Sequence, residues 1–143
     1  MSVKAIPDGY HTVTPLVTVK DVAKFLDFAK QAFGATEAMR MSAPDGSVAH
    51  AEIKIGNSRV MVERGDAAAS SHISLYLYVQ DCDALYQAAI RAGAKPEQQL
   101  TDKIWGDRVG MVRDPFGNVW WIATHKEDVS PAEIGKRAAA MHR

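Results

Sequence analysis

A histidine and two glutamates on neighbouring β-rich segments form the first group of residues that could do chemistry. His50 and Glu52 lie two apart in the alternating segment Val48–Ile55, so in a strand their side chains share one face. Glu63 ends the β-rich segment that follows. A His/Glu pair in a pocket can act as acid and base, and the same groups can bind a divalent metal. The alternative is a solvated strand face, with Glu52 and Lys54 in water.

A set of aromatic residues in the second half of the chain is the second candidate. Tyr76 and Tyr78 are two apart in the segment Ile73–Val79, and all three tryptophans lie between residues 105 and 121. Aromatic walls bind flat ligands by stacking, while the polar tips of tyrosine and tryptophan form hydrogen bonds. The alternative is that the rings fill a shrunken cleft or pack at a dimer seam. The predicted ligand-binding residues are Tyr76, Tyr78, Trp105, Arg108 and Trp121.

Neighbours of the aromatic set are assigned structural roles. Asp107 and Arg108 are expected to form an internal salt bridge that holds their loop, as an alternative to Arg108 clamping a ligand. Trp120 is opposite in phase to Trp121, so it is predicted to pack on a helix in the core. His125 is predicted to be peripheral.

Composition limits the class of protein. The 143 residues predict a single domain spanning 1–143, with 47% hydrophobic and 24% charged residues. Lys and Arg balance Asp and Glu at 17 each, so no electrostatic argument favours nucleic acid or an anionic membrane. Cys82 is the single cysteine, which excludes an internal disulfide and a Cys-rich zinc site. No signal peptide or membrane span is evident, and we expect a cytoplasmic protein.

The elements that would position these residues occur twice. A strand, a helix and three strands are predicted in a first module at about 10–65 and again in a second at about 71–125. A capping box, Ser130-Pro131-Ala132-Glu133, predicts a C-terminal helix at about 130–140. The predicted strands are 12–19, 37–41, 48–55, 59–63, 73–79, 96–100, 109–113 and 119–123, and the first two helices are 22–33 and 82–92.

Matching motifs mark the repeat. A Val-x-Asp precedes each helix, a Gly-Ala follows it, and a Gly-Asn closes the last hairpin of each module. The pairs are Val19-Lys20-Asp21 with Val79-Gln80-Asp81, Gly34-Ala35 with Gly93-Ala94, and Gly56-Asn57 with Gly117-Asn118.

Six short motifs accompany the repeat. They are Pro7-Asp8-Gly9-Tyr10, Gly34-Ala35, His50-Ala51-Glu52, Trp105-Gly106-Asp107-Arg108, Asp114-Pro115-Phe116-Gly117 and Ile122-Ala123-Thr124-His125. Together with the repeat, they resemble the vicinal oxygen chelate superfamily of glyoxalase I, bleomycin-resistance proteins and extradiol dioxygenases, and within it the PhnB-like branch. The resemblance implies an α+β fold of tandem βαβββ modules, whose curved mixed sheets form a cleft, and a homodimer.

The resemblance also allows a test for a metal. Metal-using members of the superfamily place one ligand, usually His or Glu, on the first and last strand of each module. Counting from the turns, these positions are Thr14, Met61 (or Glu63 with a shift of two), Ser74 and Trp121. This set is poor in metal-binding groups, so we expect no metal or other cofactor, although a divalent ion in a different arrangement stays open.

Three functional hypotheses follow. The first is a metal-independent protein that binds a small aromatic or drug-like molecule in a cleft. The second is an enzyme of the same superfamily, a lyase, isomerase or dioxygenase, with His50, Glu52 and Glu63 as catalytic residues, with or without a divalent metal. The third is an oligomeric scaffold with vestigial clefts.

Overall fold

The computed structural model describes residues 5–65 and 73–141, which form two compact units. The first unit ends at Ile73 and the second begins at Ser74. Each contains one βαβββ module with a four-stranded mixed sheet, so the predicted tandem α+β fold is confirmed. The predicted start of the second module, at residue 71, lies outside the described residues. No helix in the described ranges has the length and apolarity needed to cross a membrane.

The first unit has a sheet in which the first and last strands of the module are neighbours. The strand order is β1-β4-β3-β2, with β1 parallel to β4 and the other pairs antiparallel. The elements are β1 (Leu16–Val19), α1 (Val22–Phe33), β2 (Thr36–Ser42), β3 (Val48–Ile55) and β4 (Ser58–Arg64).

Helix α1 covers one face of this sheet and leaves the other open. The Asp21 side chain caps the helix by accepting a hydrogen bond from the backbone N–H of Lys24 (3.1 Å), and Gly34 ends it with φ of 66°. Phe25 and Leu26 are fully buried on the side where the helix meets β3 and β4. Residues of opposite phase in these strands therefore lie on the open face.

The first strand is shorter than predicted because of Pro15. Thr12–Val19 was the predicted segment, whereas β1 begins at Leu16. Proline has no N–H for a sheet ladder, so it is confined to strand ends and edges. The carbonyl of Pro15 still accepts a hydrogen bond from the N–H of Met61 (2.9 Å), which sets the register of β1 against β4.

The second unit repeats this topology, with strand order β5-β8-β7-β6 and β5 parallel to β8. One half of the predicted capping box is present, because the Ser130 hydroxyl accepts a hydrogen bond from the N–H of Glu133 (3.2 Å), while the Glu133 carboxylate contacts Arg137 (3.4 Å). The elements are β5 (Ser74–Tyr78), α2 (Cys82–Arg91), β6 (Lys95–Asp102), β7 (Asp107–Arg113), β8 (Val119–His125) and α3 (Pro131–Met141).

Three of these strands are longer than the sequence predicts. Strand β6 is mostly polar and has no apolar alternation; it tolerates Pro96 because it is the edge strand. Strand β7 begins two residues earlier than predicted, at Asp107, and β8 continues two residues further, to His125. These extensions consist of polar residues, which hydrophobic patterning does not detect.

The turn between β7 and β8 is fixed from inside by Asp114. This carboxylate is 3% exposed and accepts hydrogen bonds from the N–H of Asn118 and the indole N–H of Trp120, both at 2.9 Å. It also accepts one from the N–H of Phe116 at 2.9 Å, and Gly117 takes φ of 94°. Trp120 is fully buried, so its predicted place in the core is confirmed.

We predict that Asp114→Ala lowers the free energy of unfolding by about 3 kcal/mol, because it leaves buried N–H groups without an acceptor. The same substitution at the exposed Asp27 of α1 is the control, with an expected change within about 0.5 kcal/mol. Urea unfolding followed by circular dichroism measures both. Equal effects of the two substitutions would contradict this role for Asp114.

Candidate functional site

A buried carboxylate at the start of β7 organises the aromatic residues of the second unit. Asp107 is 2% exposed. One of its oxygens accepts hydrogen bonds from the hydroxyls of Tyr76 (2.7 Å) and Tyr78 (3.0 Å) and the indole N–H of Trp105 (3.0 Å). Nδ1 of His125 lies 2.8 Å from the other oxygen. Four side chains from two strands, β5 and β8, and one loop thus meet at one acid on β7.

The strand register places a stack of rings beside this acid. Tyr76 of β5 pairs with Trp121 of β8, and their rings are stacked with centroids 6.0 Å apart and planes 20° apart. The indole N–H of Trp121 donates to the Ser74 hydroxyl (2.9 Å). The predicted grouping of the two tyrosines with Trp121 on one sheet face is confirmed. We call Tyr76, Tyr78, Trp105 and Trp121 the aromatic face.

Much of the aromatic face is exposed. Tyr76 is 40%, Trp105 39% and Tyr78 65% exposed, so none of these three large rings is buried. Helix α2 packs on the other side of the sheet, where Trp120 is buried and the Cys82 N–H donates to the Thr124 hydroxyl (2.9 Å). The aromatic face is therefore the side of the sheet that its own helix does not cover.

The structure does not bring Arg108 to the aromatic face. The side chain has opposite phase to Asp107 in β7, and its guanidinium binds the carboxylate of Asp83 through two nitrogens, at 2.9 and 3.0 Å. A third contact joins it to Asp102 at 3.5 Å. The expected Asp107–Arg108 salt bridge is wrong, because the two side chains point to opposite faces of the sheet.

His125, predicted to be peripheral, contacts the same carboxylate as the aromatic face, that of Asp107. It pairs with Asp107 across β7 and β8, and its Nε2 lies 2.7 Å from the carboxylate of Asp128. Its ring meets that of Tyr78 edge-on, with centroids 6.4 Å apart. The sequence contains a signal for this position: His125 lies four residues after Trp121, and side chains an even number of residues apart in a strand share one face.

The structure places His50, Glu52 and Glu63 on one face of the first sheet. His50 is directly opposite Glu63, while Glu52 is opposite Met61. Their hydrogen bonds differ, because Glu63 accepts from the Thr18 hydroxyl (3.2 Å) whereas Glu52 accepts from the hydroxyl of Tyr10.

Glu52 faces a cavity that the other two predicted catalytic residues do not line. The cavity measures about 510 Å³ and is formed by the segment before β1 together with Glu52 and Met61. Tyr10 lines it, and the Arg59 guanidinium lies 5.1 Å from the centre of the Tyr10 ring. The predicted trio is thus divided, with Glu52 at the cavity and His50 and Glu63 outside its lining.

Comparison with known proteins identifies the family. A family model described as the glyoxalase/bleomycin resistance protein/dioxygenase superfamily matches residues 10–122. This chain belongs to that superfamily. An uncharacterized protein of Mycobacterium tuberculosis is 34% identical over 134 residues, covering 85% of this chain and 79% of that protein. A Mycobacterium bovis relative has the same identity, with 88% of its length covered.

Solved structures share the superfamily fold. TioX from Micromonospora sp. ML1 has a TM-score of 0.68 and 26% identity, covering 84% of this chain and all of that one. A mutant of the fosfomycin resistance protein FosX from Listeria monocytogenes, complexed with Mn(II) and 1S,2S-dihydroxypropylphosphonic acid, has a TM-score of 0.62 and 17% identity, covering 90% and 97%. At that identity the FosX match concerns the fold alone.

The positions from which the superfamily's metal ligands were expected do not carry a matching set of donors. In the first unit, Thr14 precedes β1 and Met61 is a thioether. In the second, Ser74 and Trp121 are hydrogen-bonded to each other. Within 5–65 and 73–141, no three His, Cys, Asp or Glu side chains are placed to hold one ion. These residues do not fit a divalent metal, which requires converging oxygen or nitrogen ligands.

The hydrogen bonds around Asp107 set the charges of the group. Burial raises the pKa of Asp107, but the hydrogen bonds from His125, Tyr76, Tyr78 and Trp105 outweigh burial, so that its pKa is lowered overall. Burial and the hydrogen bond to Asp107 raise the pKa of Tyr76 to about 12. The hydrogen bonds to Asp107 and Asp128 raise the pKa of His125. Near neutral pH, Asp107 is charged and Tyr76 keeps its proton, while the contacts with two carboxylates shift His125 toward its protonated form.

We predict that His125 makes the stability of the protein depend on pH. Because its pKa is raised in the folded state above the ordinary 6.5, its contribution is full below that value and is lost as the pH rises through the folded pKa. The advantage of the wild type over His125→Gln in urea unfolding should therefore shrink from about pH 6 upward. His11→Gln, at an exposed histidine of the first unit, serves as the control. If the difference in the free energy of unfolding between the wild type and His125→Gln stays constant from about pH 6 upward, His125 is not the source of a pH dependence.

Proposed function

We propose that this protein binds a small planar aromatic molecule, without a metal, as a member of the glyoxalase/bleomycin-resistance type. The observation that supports this is the exposed aromatic face, with Tyr76 stacked on Trp121 and both tyrosines held by the buried Asp107. Soluble proteins seldom leave several large rings together in water unless a ligand or partner covers them.

The hydrogen bonds of the aromatic face indicate what kind of ligand it suits. Both tyrosine hydroxyls and the Trp105 N–H donate to Asp107, and the Trp121 N–H donates to Ser74. The polar tips are therefore occupied, and ring faces are what the surface presents. Stacking on such faces selects flat ligands and tolerates differences in their edges. This favours binding of a class of compounds over recognition of one functional group.

The finer assignments of the proposal concern the branch, assembly and location of the protein. We place it in the PhnB-like branch because of the motifs around Tyr10, Trp105 and Asp114, and take residues 1–143 as one domain. The proposal includes a homodimer in the cytoplasm. It includes neither nucleic acid nor a membrane as a partner, since the net charge of zero provides no attraction to either.

We predict that 9-aminoacridine or 1-naphthol, as planar probes, quench tryptophan emission and raise the melting temperature of the wild type. Tyr76→Ala should weaken probe binding at least about fivefold, because a stacked ring contributes about 1–3 kcal/mol. Tyr76→Phe is the matched control, since it keeps the ring and loses only the hydroxyl, and its affinity should stay within about threefold of the wild type. Fluorescence titration measures all three proteins.

Three results would contradict the proposal. The first is that neither planar probe binds the wild type. The second is that Tyr76→Ala binds the probe as tightly as Tyr76→Phe. The third is a stoichiometric divalent metal in the purified protein, measured by elemental analysis, whose removal abolishes probe binding.

A superfamily enzyme acting at the first unit is the second candidate. It is favoured by the cavity of about 510 Å³, in which the Tyr10 hydroxyl donates to Glu52. A carboxylate and a phenol in contact can move a proton to or from a bound substrate. In a screen for lyase, isomerase and dioxygenase turnover with and without Mn²⁺, this candidate predicts activity that Glu52→Gln abolishes. Turnover that is unchanged in Glu52→Gln would exclude it.

A further inference from the structure

We propose that Arg137 of α3 is a positioning residue for Trp105. The C-terminal segment, residues 126–141 after β8, thereby sets the shape of the aromatic face. The inference rests on the proposed function in so far as Trp105 contacts the ligand. The hydrogen bonds that support it lie within the second unit and join three parts of the chain: the loop that carries Trp105, the segment after β8, and α3.

Arg137 connects α3 to this loop directly. Its Nη1 donates to the backbone carbonyl of Ile104 (3.0 Å), the residue before Trp105, and to the carboxylate of Glu127 (2.8 Å). Its Nε lies 3.4 Å from Glu133 one turn earlier in α3. A guanidinium holds several acceptors in a fixed plane, which makes it suited to fixing a loop carbonyl.

The segment after β8 closes on the same loop through its backbone. The carbonyl of Gly106 accepts hydrogen bonds from the N–H groups of Lys126 (2.8 Å) and Glu127 (3.2 Å). Gly106 has φ of 99°, and a Cβ there would lie 2.1 Å from the carbonyl oxygen of Glu127. Glycine is required for this close approach. Trp105 therefore sits between two residues whose carbonyls are both held by the C-terminal segment.

The position of the Trp105 ring follows from these contacts. At one end its indole N–H donates to Asp107 (3.0 Å), and at the other its backbone is tied to Arg137 through Ile104. With the indole N–H alone, the ring could swing about a single hydrogen bond. With the backbone also held, the ring is oriented beside Tyr76 and Tyr78, which share its acceptor oxygen. The C-terminal segment thereby becomes a determinant of ligand size and shape.

The test combines a reporter for Trp105 with probe affinity. In a Trp121→Phe background, the remaining tryptophans are Trp105 and Trp120. Because Trp120 is fully buried and out of reach of acrylamide, quenching by acrylamide reports on Trp105. Arg137→Met should raise the quenching constant about twofold and, with Trp121 restored, weaken 9-aminoacridine binding about fivefold. Arg137→Lys should restore part of the protection of Trp105 from quenching and part of the probe affinity, because an ammonium can still reach one acceptor.

Arg113→Met is the matched control. Arg113 is also half-buried, and it likewise donates to a glutamate (Glu97, 2.7 Å) and a backbone carbonyl (Gly117, 3.0 Å), but at the other end of the second sheet. It should lower stability as much as Arg137→Met while leaving Trp105 quenching and probe affinity unchanged. If Arg137→Met does not fold, Glu127→Gln provides the same readouts with a smaller expected change.

The outcomes separate this inference from the function on which it rests. Increased Trp105 quenching in Arg137→Met supports the positioning role even if no probe binds the wild type, a result that would reject only the proposed function. Unchanged quenching and unchanged probe affinity in Arg137→Met would overturn the inference and leave the proposed function standing. Equal effects in Arg137→Met and Arg113→Met would also overturn it, because they would reflect general destabilisation.

Discussion

The arrangement of the second unit depends on the carboxylate of Asp107. A charged group with almost no contact with water is costly unless hydrogen bonds replace its hydration. Here the replacement comes from two phenols, an indole and an imidazole, which meet the acid from one side of the sheet. Because each donor belongs to a bulky ring, satisfying the acid also fixes the orientation of the rings. The buried charge thus converts flexible aromatic side chains into a preorganised surface.

The same hydrogen bonds explain why this surface suits stacking better than acid–base chemistry. A phenol that donates to a carboxylate and has a pKa near 12 does not readily lose its proton at neutral pH. His125 lies between two carboxylates, so neither nitrogen is free to take a proton from a ligand without losing an existing contact. In the first unit, by contrast, the Tyr10–Glu52 pair lines an open cavity. The two modules share a topology, but their open faces offer different chemistry.

Much of this could be predicted from the sequence, because strand alternation and turn residues carry strong signals. The alternation of residues 73–79 placed Tyr76 and Tyr78 on one face, and the opposite phase of Trp120 and Trp121 separated core from surface. The errors about the aromatic face and its neighbours have one physical source. Strand β7 begins with Asp107-Arg108, a charged pair that hydrophobic patterning treats as loop, and β8 runs on to His125. Once those residues belong to strands, phase alone sends Asp107 and His125 to the aromatic face and Arg108 to the other.

The two faces of each sheet have different roles: the helix side forms the core, and the open face carries the candidate functional residues. The core of the second unit lies on the helix side, where Trp120 is buried and bonded to Asp114. The core of the first unit lies under α1, around Phe25 and Leu26. Ser74 and Trp121 bond to each other and, by strand phase, lie on the face opposite the helix-side core. On the open face of the second unit, stability constrains the donors that satisfy Asp107, whereas the helix side is constrained by packing of the core.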